Sequence, residues 1–268
     1  MMTKLPLYQV DAFADRPFEG NPAAIVPLES WPDDALMQAI AAENNLAETA
    51  FFVPEGEGFR LRWFTPAMEV PLCGHATLAS AHVLFTHLGF AKPEIHFETK
   101  SGRLTVKREG DLLAMDFPAD VARPCPVPEG LDRALGAKPL LTLKGTKLMA
   151  LFGNAADVAA LNPDMAALKR LLVALGGLGL VCTAEGDQGS GFDFVSRFFA
   201  PAHGIDEDPV TGSAHCVSVP YWAKKLGKTD LVARQISKRG GTLRCTHAGE
   251  RVVMRGRCAD YMKGEIGL

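Results

Sequence analysis

The sequence predicts an α+β fold of two similar lobes, each a curled, mainly antiparallel β-sheet wrapped barrel-like around one central α-helix. Three features of the 268-residue chain predict it. A hexapeptide recurs about half a chain length further on, each copy leads into a glycine-small turn that opens a helix, and both helices are apolar almost all round.

The repeated unit is Arg62-Trp63-Phe64-Thr65-Pro66-Ala67, matched by Arg197-Phe198-Phe199-Ala200-Pro201-Ala202. A single short match can arise by chance; here the elements that follow also match, in the same order. Cys73-Gly74-His75-Ala76 and Thr211-Gly212-Ser213-Ala214 are the two turns, the second after a slightly longer loop. They open helices over residues 75–88 and 213–226, ended by Gly89 and Gly227 in the position after a helix that glycine favours. Neither helix has a clear polar face, so each must be enclosed on most sides. Pro220 lies inside the second and should kink it.

Strands supply the enclosure. Alternating or β-branched and aromatic runs predict them at residues 8–13, 23–26, 49–53, 59–64, 95–99, 104–107 and 113–117 in the first half. The second half offers 147–152, 179–183, 192–199, 233–237 and 251–257. Shorter amphipathic helices at 33–44 and 164–175 belong outside the sheets, and the Pro-rich stretch 118–128 reads as a linker. The expected lobes are residues 1–118 and 119–268.

Composition bounds the function. With 47% hydrophobic and 22% charged residues the chain is globular, and it is large enough to build its own core. A net charge of −3 without a dense basic block argues against nucleic acid. No run approaches the roughly 18 apolar residues of a membrane span, and the N-terminus lacks the pattern of a signal peptide. Cysteines 73, 125, 182, 216, 245 and 258 include no Cys-x-x-Cys pair, so a reduced, cytoplasmic protein is expected.

Several motifs fail. Gly227-Lys228-Thr229 has Trp222 where a phosphate loop needs glycine, Gly176-Gly177-Leu178-Gly179 enters a strand instead of leaving one, and no Gly-x-Ser-x-Gly elbow is present. His203, Asp206, Asp208 and His215 match no familiar metal spacing, so no metal is expected. Cys73 and His75 could pair as nucleophile and base, but neighbouring side chains on a turn usually point apart.

Three items remain. Glu48 begins an apolar strand; it is either a solvent-facing strand end, or it shares the inward face of Ala50 and Phe52, where burial would raise its pKa toward that of a general base. Gly74-His75-Ala76-Thr77 puts free backbone N–H groups at a buried helix start that attracts an anion. His75 there is either a core histidine bonded to a carbonyl or a proton relay kept neutral by the helix dipole. Finally, Asp206-Glu207-Asp208-Pro209-Val210-Thr211-Gly212-Ser213 sets three acids ahead of the other helix; one could simply cap it. By the repeat, this loop is expected to face the Cys73-Gly74-His75 turn, so that both helix starts stabilise one small carbanion.

These residues resemble the PhzF family of phenazine-biosynthesis-like isomerases, related in fold to diaminopimelate epimerase. The resemblance rests on Val10-Asp11-Ala12-Phe13, Gly20-Asn21-Pro22-Ala23-Ala24, Asn45-Leu46-Ala47-Glu48-Thr49-Ala50-Phe51 and the Arg62 strand. It continues through Leu72-Cys73-Gly74-His75-Ala76-Thr77-Leu78-Ala79 and Asp208-Pro209-Val210-Thr211-Gly212-Ser213-Ala214-His215. It implies a cofactor-independent homodimeric isomerase, with the last strand free to return to the first lobe. Glu48 is implied as the proton-shuttling acid/base with His75 and Asp208 as partners, and Asn21, Cys73, Gly74, Gly212 and Ser213 as contacts for a small carboxylate substrate. The epimerase relatives use two opposed cysteines; Cys73 fits one place, but Thr211 stands near the other, which disfavours a two-thiol racemase. An epimerase using Glu48 with Cys73, or a carboxylate-binding relative without turnover, would need the same anion-binding turns.

Overall fold

The computed structural model describes residues 4–268; residues 1–3, on which the expectation of no leader partly rests, lie outside them. The chain divides into two compact units, one reaching to Asp116 and rejoined by Arg255–Leu268, the other Phe117–Met254. Its first part runs β1 (Lys4–Ala12), β2 (Asn21–Pro27), α1 (Asp34–Asn44), β3 (Glu48–Glu55), β4 (Gly58–Phe64), β5 (Glu69–Val70), α2 (Gly74–Thr86), β6 (Glu94–Thr99), β7 (Gly102–Glu109) and β8 (Leu112–Pro118). Then come β9 (Arg123–Cys125), α3 (Leu131–Leu135), β10 (Leu141–Lys144), β11 (Leu148–Leu151), α4 (Ala155–Ala159), α5 (Met165–Ala174), β12 (Leu180–Glu185), β13 (Phe194–Ala200) and β14 (Ile205–Asp208). α6 (Gly212–Leu226), β15 (Asp230–Gln235), β16 (Gly241–Ala248), β17 (Arg251–Gly256) and β18 (Cys258–Gly267) complete the chain.

Within the first unit β18, β1 and β2 pair antiparallel, β2 pairs parallel with β3, β3 antiparallel with β4, and β4 parallel with β6. β5 lies antiparallel on β4, and β6, β7 and β8 continue as an antiparallel meander. Parallel neighbours cannot be joined by a hairpin. Each parallel pair therefore carries a helix in its connection, α1 for β2–β3 and α2 for β4–β6. The second unit repeats this wiring: β9–β10–β11 antiparallel, β11–β12 parallel, β12–β13 antiparallel, β13–β15 parallel and β15–β16 antiparallel, with β14 on β13. Here α4 and α5 stand in the first parallel connection and α6 in the second. The hexapeptide repeat thus marks β4 and β13, the strands that carry the second parallel pair.

α2 is buried on nearly all sides, from His75 to Phe85, and packs on β1, β2, β3, β7 and β18. Its polar side chains bond back to their own helix: Thr77 Oγ1 donates to the Cys73 carbonyl at 2.6 Å and Ser80 Oγ to the Ala76 carbonyl at 2.7 Å. α1 covers the other face of the sheet, where Met37, Ile40 and Ala41 meet Val26, Phe51, Val53 and Phe64. Pro220 lies buried within α6 and withholds the N–H that would reach the Cys216 carbonyl. The Asp120 backbone N–H donates to that carbonyl at 2.9 Å instead, so the break leaves no orphan acceptor.

The repeated arginines brace the strands. Arg62 makes two bonds of 2.8 and 2.9 Å to Glu69 of β5, and Arg197 two of 2.7 and 2.9 Å to Glu207 of β14. Three expectations shift. The first central helix ends at Thr86, earlier than 88, while Gly89 keeps its left-handed turn at φ 68°. The stretch read as a linker contains β9, held by β10. β16 and β18, not anticipated, are full strands.

Candidate active site

Glu48 is the first residue of β3, placed by the left-handed Asn45 that ends α1 and by its register opposite Ala23 of β2. Strand alternation turns Phe51 and Val53 to α1 and Glu48, Ala50 and Phe52 to the other face. There the Glu48 side chain is 12% exposed, and its Oε2 lies 3.1 Å from His75 Nε2. The approach is close enough for an ion pair but lacks the alignment of a hydrogen bond, so both atoms keep an unused hydrogen-bonding direction. Asn21, fully buried, begins β2 two residues before Ala23 and so shares the face of Glu48.

Cys73 is the residue before α2, in an extended conformation whose side chain folds over the first turn. This corrects the expectation that Cys73 and His75 point apart: Cys73 Sγ lies 3.5 Å from His75 Nδ1. An N-cap side chain naturally reaches the second and third helical residues, and His75 is the second. No side chain caps α2, in contrast to α4 and α5, which Asn154 and Asp164 close. Gly74 and His75 thus open the helix with their N–H groups unclaimed by a capping side chain, while the Cys73 sulfur lies toward the Ala76 N–H.

The charges run opposite to the sequence expectation. Burial pushes the Glu48 carboxyl up, but the His75 charge and contacts from His75 and Cys73 outweigh it and hold Glu48 below its ordinary range. Burial likewise pushes His75 down, yet Cys73 and Glu48 hold it well above the usual histidine value. Burial, and then Glu48, push the Cys73 thiol up to about 11. The helix dipole, which favours neutral imidazole, loses to a carboxylate at 3.1 Å. The three donor atoms lie within 4.8 Å of one another, a span one cation could bridge.

In the second unit Asp208 ends β14 and pairs through Oδ2 with the Thr211 hydroxyl. Asp206 is exposed and Glu207 belongs to Arg197. Gly212 opens α6 and Ser213 is exposed. A Cβ on Gly212 would meet only the end of the Met254 side chain, its sulfur at 3.9 Å and methyl at 4.0 Å, so packing inside this unit does not demand glycine there. Sequence reasoning missed Gln235, fully buried, whose Nε2 donates to the Asp208 carbonyl at 2.7 Å and whose Oε1 accepts the Thr211 N–H at 2.9 Å. Its position in the buried phase of Leu231, Ala233 and Gln235 could have revealed it. His215, considered as a metal ligand, is buried with Nδ1 2.8 Å from the Thr211 carbonyl, and burial lowers it to about 4. The carbonyl-bonded core histidine weighed for His75 is therefore realised by His215.

The doubled sheet-around-helix arrangement is the fold of the epimerase-like α+β type, and relatives of this chain at 42–52% identity are named isomerases. Within that type the chain belongs to the phenazine biosynthesis-like family (PhzC-PhzF), whose model matches residues 10–264. A relative from Pseudomonas aeruginosa named as an uncharacterized isomerase is 52% identical, over 99% of this chain and 100% of the relative. The crystal structure of a PhzF-family phenazine biosynthesis protein from Enterococcus faecalis superposes with a TM-score of 0.94 at 45% identity, over 99% of this chain and 100% of that one. A hydroxyproline epimerase from Agrobacterium vitis, 10% identical with a TM-score of 0.60 over 99% and 93% of the chains, shares the fold alone. No helix among the described residues is long and apolar enough to cross a membrane.

Proposed function

We propose that the protein is a cofactor-independent isomerase that moves a proton between carbon atoms of a small carboxylate-bearing substrate, with Glu48 as the acid/base. The observation that carries this is the Glu48 carboxyl 3.1 Å from His75 at the uncapped start of α2. Ionised Glu48 takes a proton from one substrate carbon, and the electron pair left behind delocalises toward the substrate carboxylate. Backbone N–H groups from Gly74 onward stabilise that negative charge. Glu48, now neutral, returns the proton to a second carbon, so the reaction needs no external acid or base. His75 keeps Glu48 ionised beforehand and holds the carboxyl in place.

Asn21 and Cys73 are assigned as substrate contacts in the first unit, and Asp208, Gly212 and Ser213 supply a carboxylate and a second anion-binding turn in the other. The homodimer that the family resemblance implies, and the reduced, cytoplasmic setting that the cysteine pattern suggests, are part of the proposal. Proton exchange followed by NMR in deuterated water, over a panel of small unsaturated and amino carboxylic acids, tests it. Exchange or isomerisation should occur with at least one acid and fall by about 100-fold or more in Glu48→Gln, the range that positioned acid/base groups contribute. Exchange untouched by Glu48→Gln removes Glu48 from the mechanism.

A further inference from the structure

A second cluster of ligating side chains lies at the other end of α2. His82 is on the helix, His87 follows its last residue, and Asp260 comes from β18. His82 Nε2 lies 3.1 Å and His87 Nε2 2.9 Å from the same oxygen, Asp260 Oδ1, and the three donor atoms all fall within 4.8 Å. The two imidazoles are largely buried, at 16% and 20% side-chain exposure, while the carboxylate at 46% opens to solvent.

The scaffold aims these groups. β18 follows β1 in regular register until Gln9 faces Met262, then skips Tyr261 so that Asp260 faces Val10. Val10 is fully buried, and the one-residue bulge turns Asp260 onto the same inner face. Without the skip, Asp260 would face Asp11 and point to the opposite side of the sheet, away from α2. His87 is fixed from behind by stacking on Tyr8, ring centroids 5.0 Å apart.

We propose that His82, His87 and Asp260 form a binding site for one divalent transition cation of the zinc type, separate from the Glu48 site. Two imidazole nitrogens and a carboxylate oxygen are the ligand set such ions favour, with a fourth position left for water. A tetrahedral ion with bonds of about 2.0–2.1 Å holds its ligand atoms roughly 3.3 Å apart, within a few tenths of an ångström of the two imidazole–carboxylate separations, 3.1 and 2.9 Å. Bound there, the ion ties β18 to the end of α2.

The test is calorimetric titration of the full, tag-free chain with ZnCl2, and with MgCl2 as the hard-ion control. One zinc ion per chain should bind, magnesium should not, and zinc should raise the melting temperature. His82→Gln, His87→Gln and Asp260→Asn should each weaken zinc by more than the roughly 10–100-fold that loss of an outer-shell partner costs. Absence of zinc binding in the unaltered protein, or binding unchanged by all three substitutions, overturns the site. A second reading needs no variant: with Co2+ the ligand-field bands should appear without a thiolate charge-transfer band. A thiolate band would put the ion at Cys73 and overturn the proposal as well.

Discussion

At the scale of single residues, glycine is informative where packing does not require it. Gly212 has no left-handed backbone and room for a Cβ, and alanine at a helical position costs less backbone entropy, by about 0.5–1 kcal/mol. Gly212→Ala should therefore leave urea stability unchanged or raised by that amount, while raising KM for the substrate found by exchange. A raised KM with intact stability is the signature of a ligand approaching that backbone; an unchanged KM removes Gly212 from the site.

The Glu48–His75 pair makes a prediction in pH. Glu48 is held below 4.5, so its contribution to stability is present above that value and is lost as pH falls through the lower, folded pKa. His75 is held above 6.5, so its contribution is full below 6.5 and is lost as pH rises through the raised, folded pKa. The stability of the unaltered protein relative to Glu48→Gln should then peak between pH 4.5 and 6.5. Urea denaturation across pH measures this difference; a flat difference would mean that the two groups do not share a charge interaction.

Elements show which features a local reading can reach. Strands such as β3 and β4 carry their own apolar signal, and α2 announces its burial by lacking a polar face. β18 does not: from Asp260 to Glu265 every residue is exposed, and what makes it a strand is its long ladder with β1, more than two hundred residues away in sequence. β9 is likewise short, contains Pro124 and depends on β10. Among the candidate residues, Glu48 and His75 were legible as types in context, whereas their charge states were not. Burial acts on each alone, but the outcome depends on a partner 27 positions away in the chain.

Pro220 shows the same limit and supports a prediction. Replacing a helix-interior proline by alanine ordinarily gains about 3 kcal/mol. In α6 the freed Cys216 carbonyl already accepts the Asp120 N–H, and the buried proline ring fills space that alanine would leave open. Pro220→Ala should accordingly stay within about 1 kcal/mol of the parent in urea denaturation. A gain near 3 kcal/mol would show that the proline strains the helix and that the Asp120 bond does not compensate.

For the whole molecule, the doubling of one wiring diagram explains why six repeated residues could predict the fold: the repeat falls on β4 and β13, where each unit makes both an antiparallel and a parallel pairing. The sequence reading divides the chain near its middle with the last strand free to return to the first lobe; the unit boundaries fall after Asp116 and Met254, and β18 pairs with β1. One unit is continuous, Phe117–Met254, with its own core from Leu131 to Phe199. The other needs both ends of the chain, because β1 lies between β2 and β18. Fraying at the C-terminus therefore uncovers a strand of the first unit only. Limited proteolysis should leave a resistant fragment close to residues 117–254, and a chain ending at Arg257 should lose resistance over residues 4–116 while keeping that fragment. Mass spectrometry of the digests reads both, and equal loss of the two regions would mean that the units unfold together.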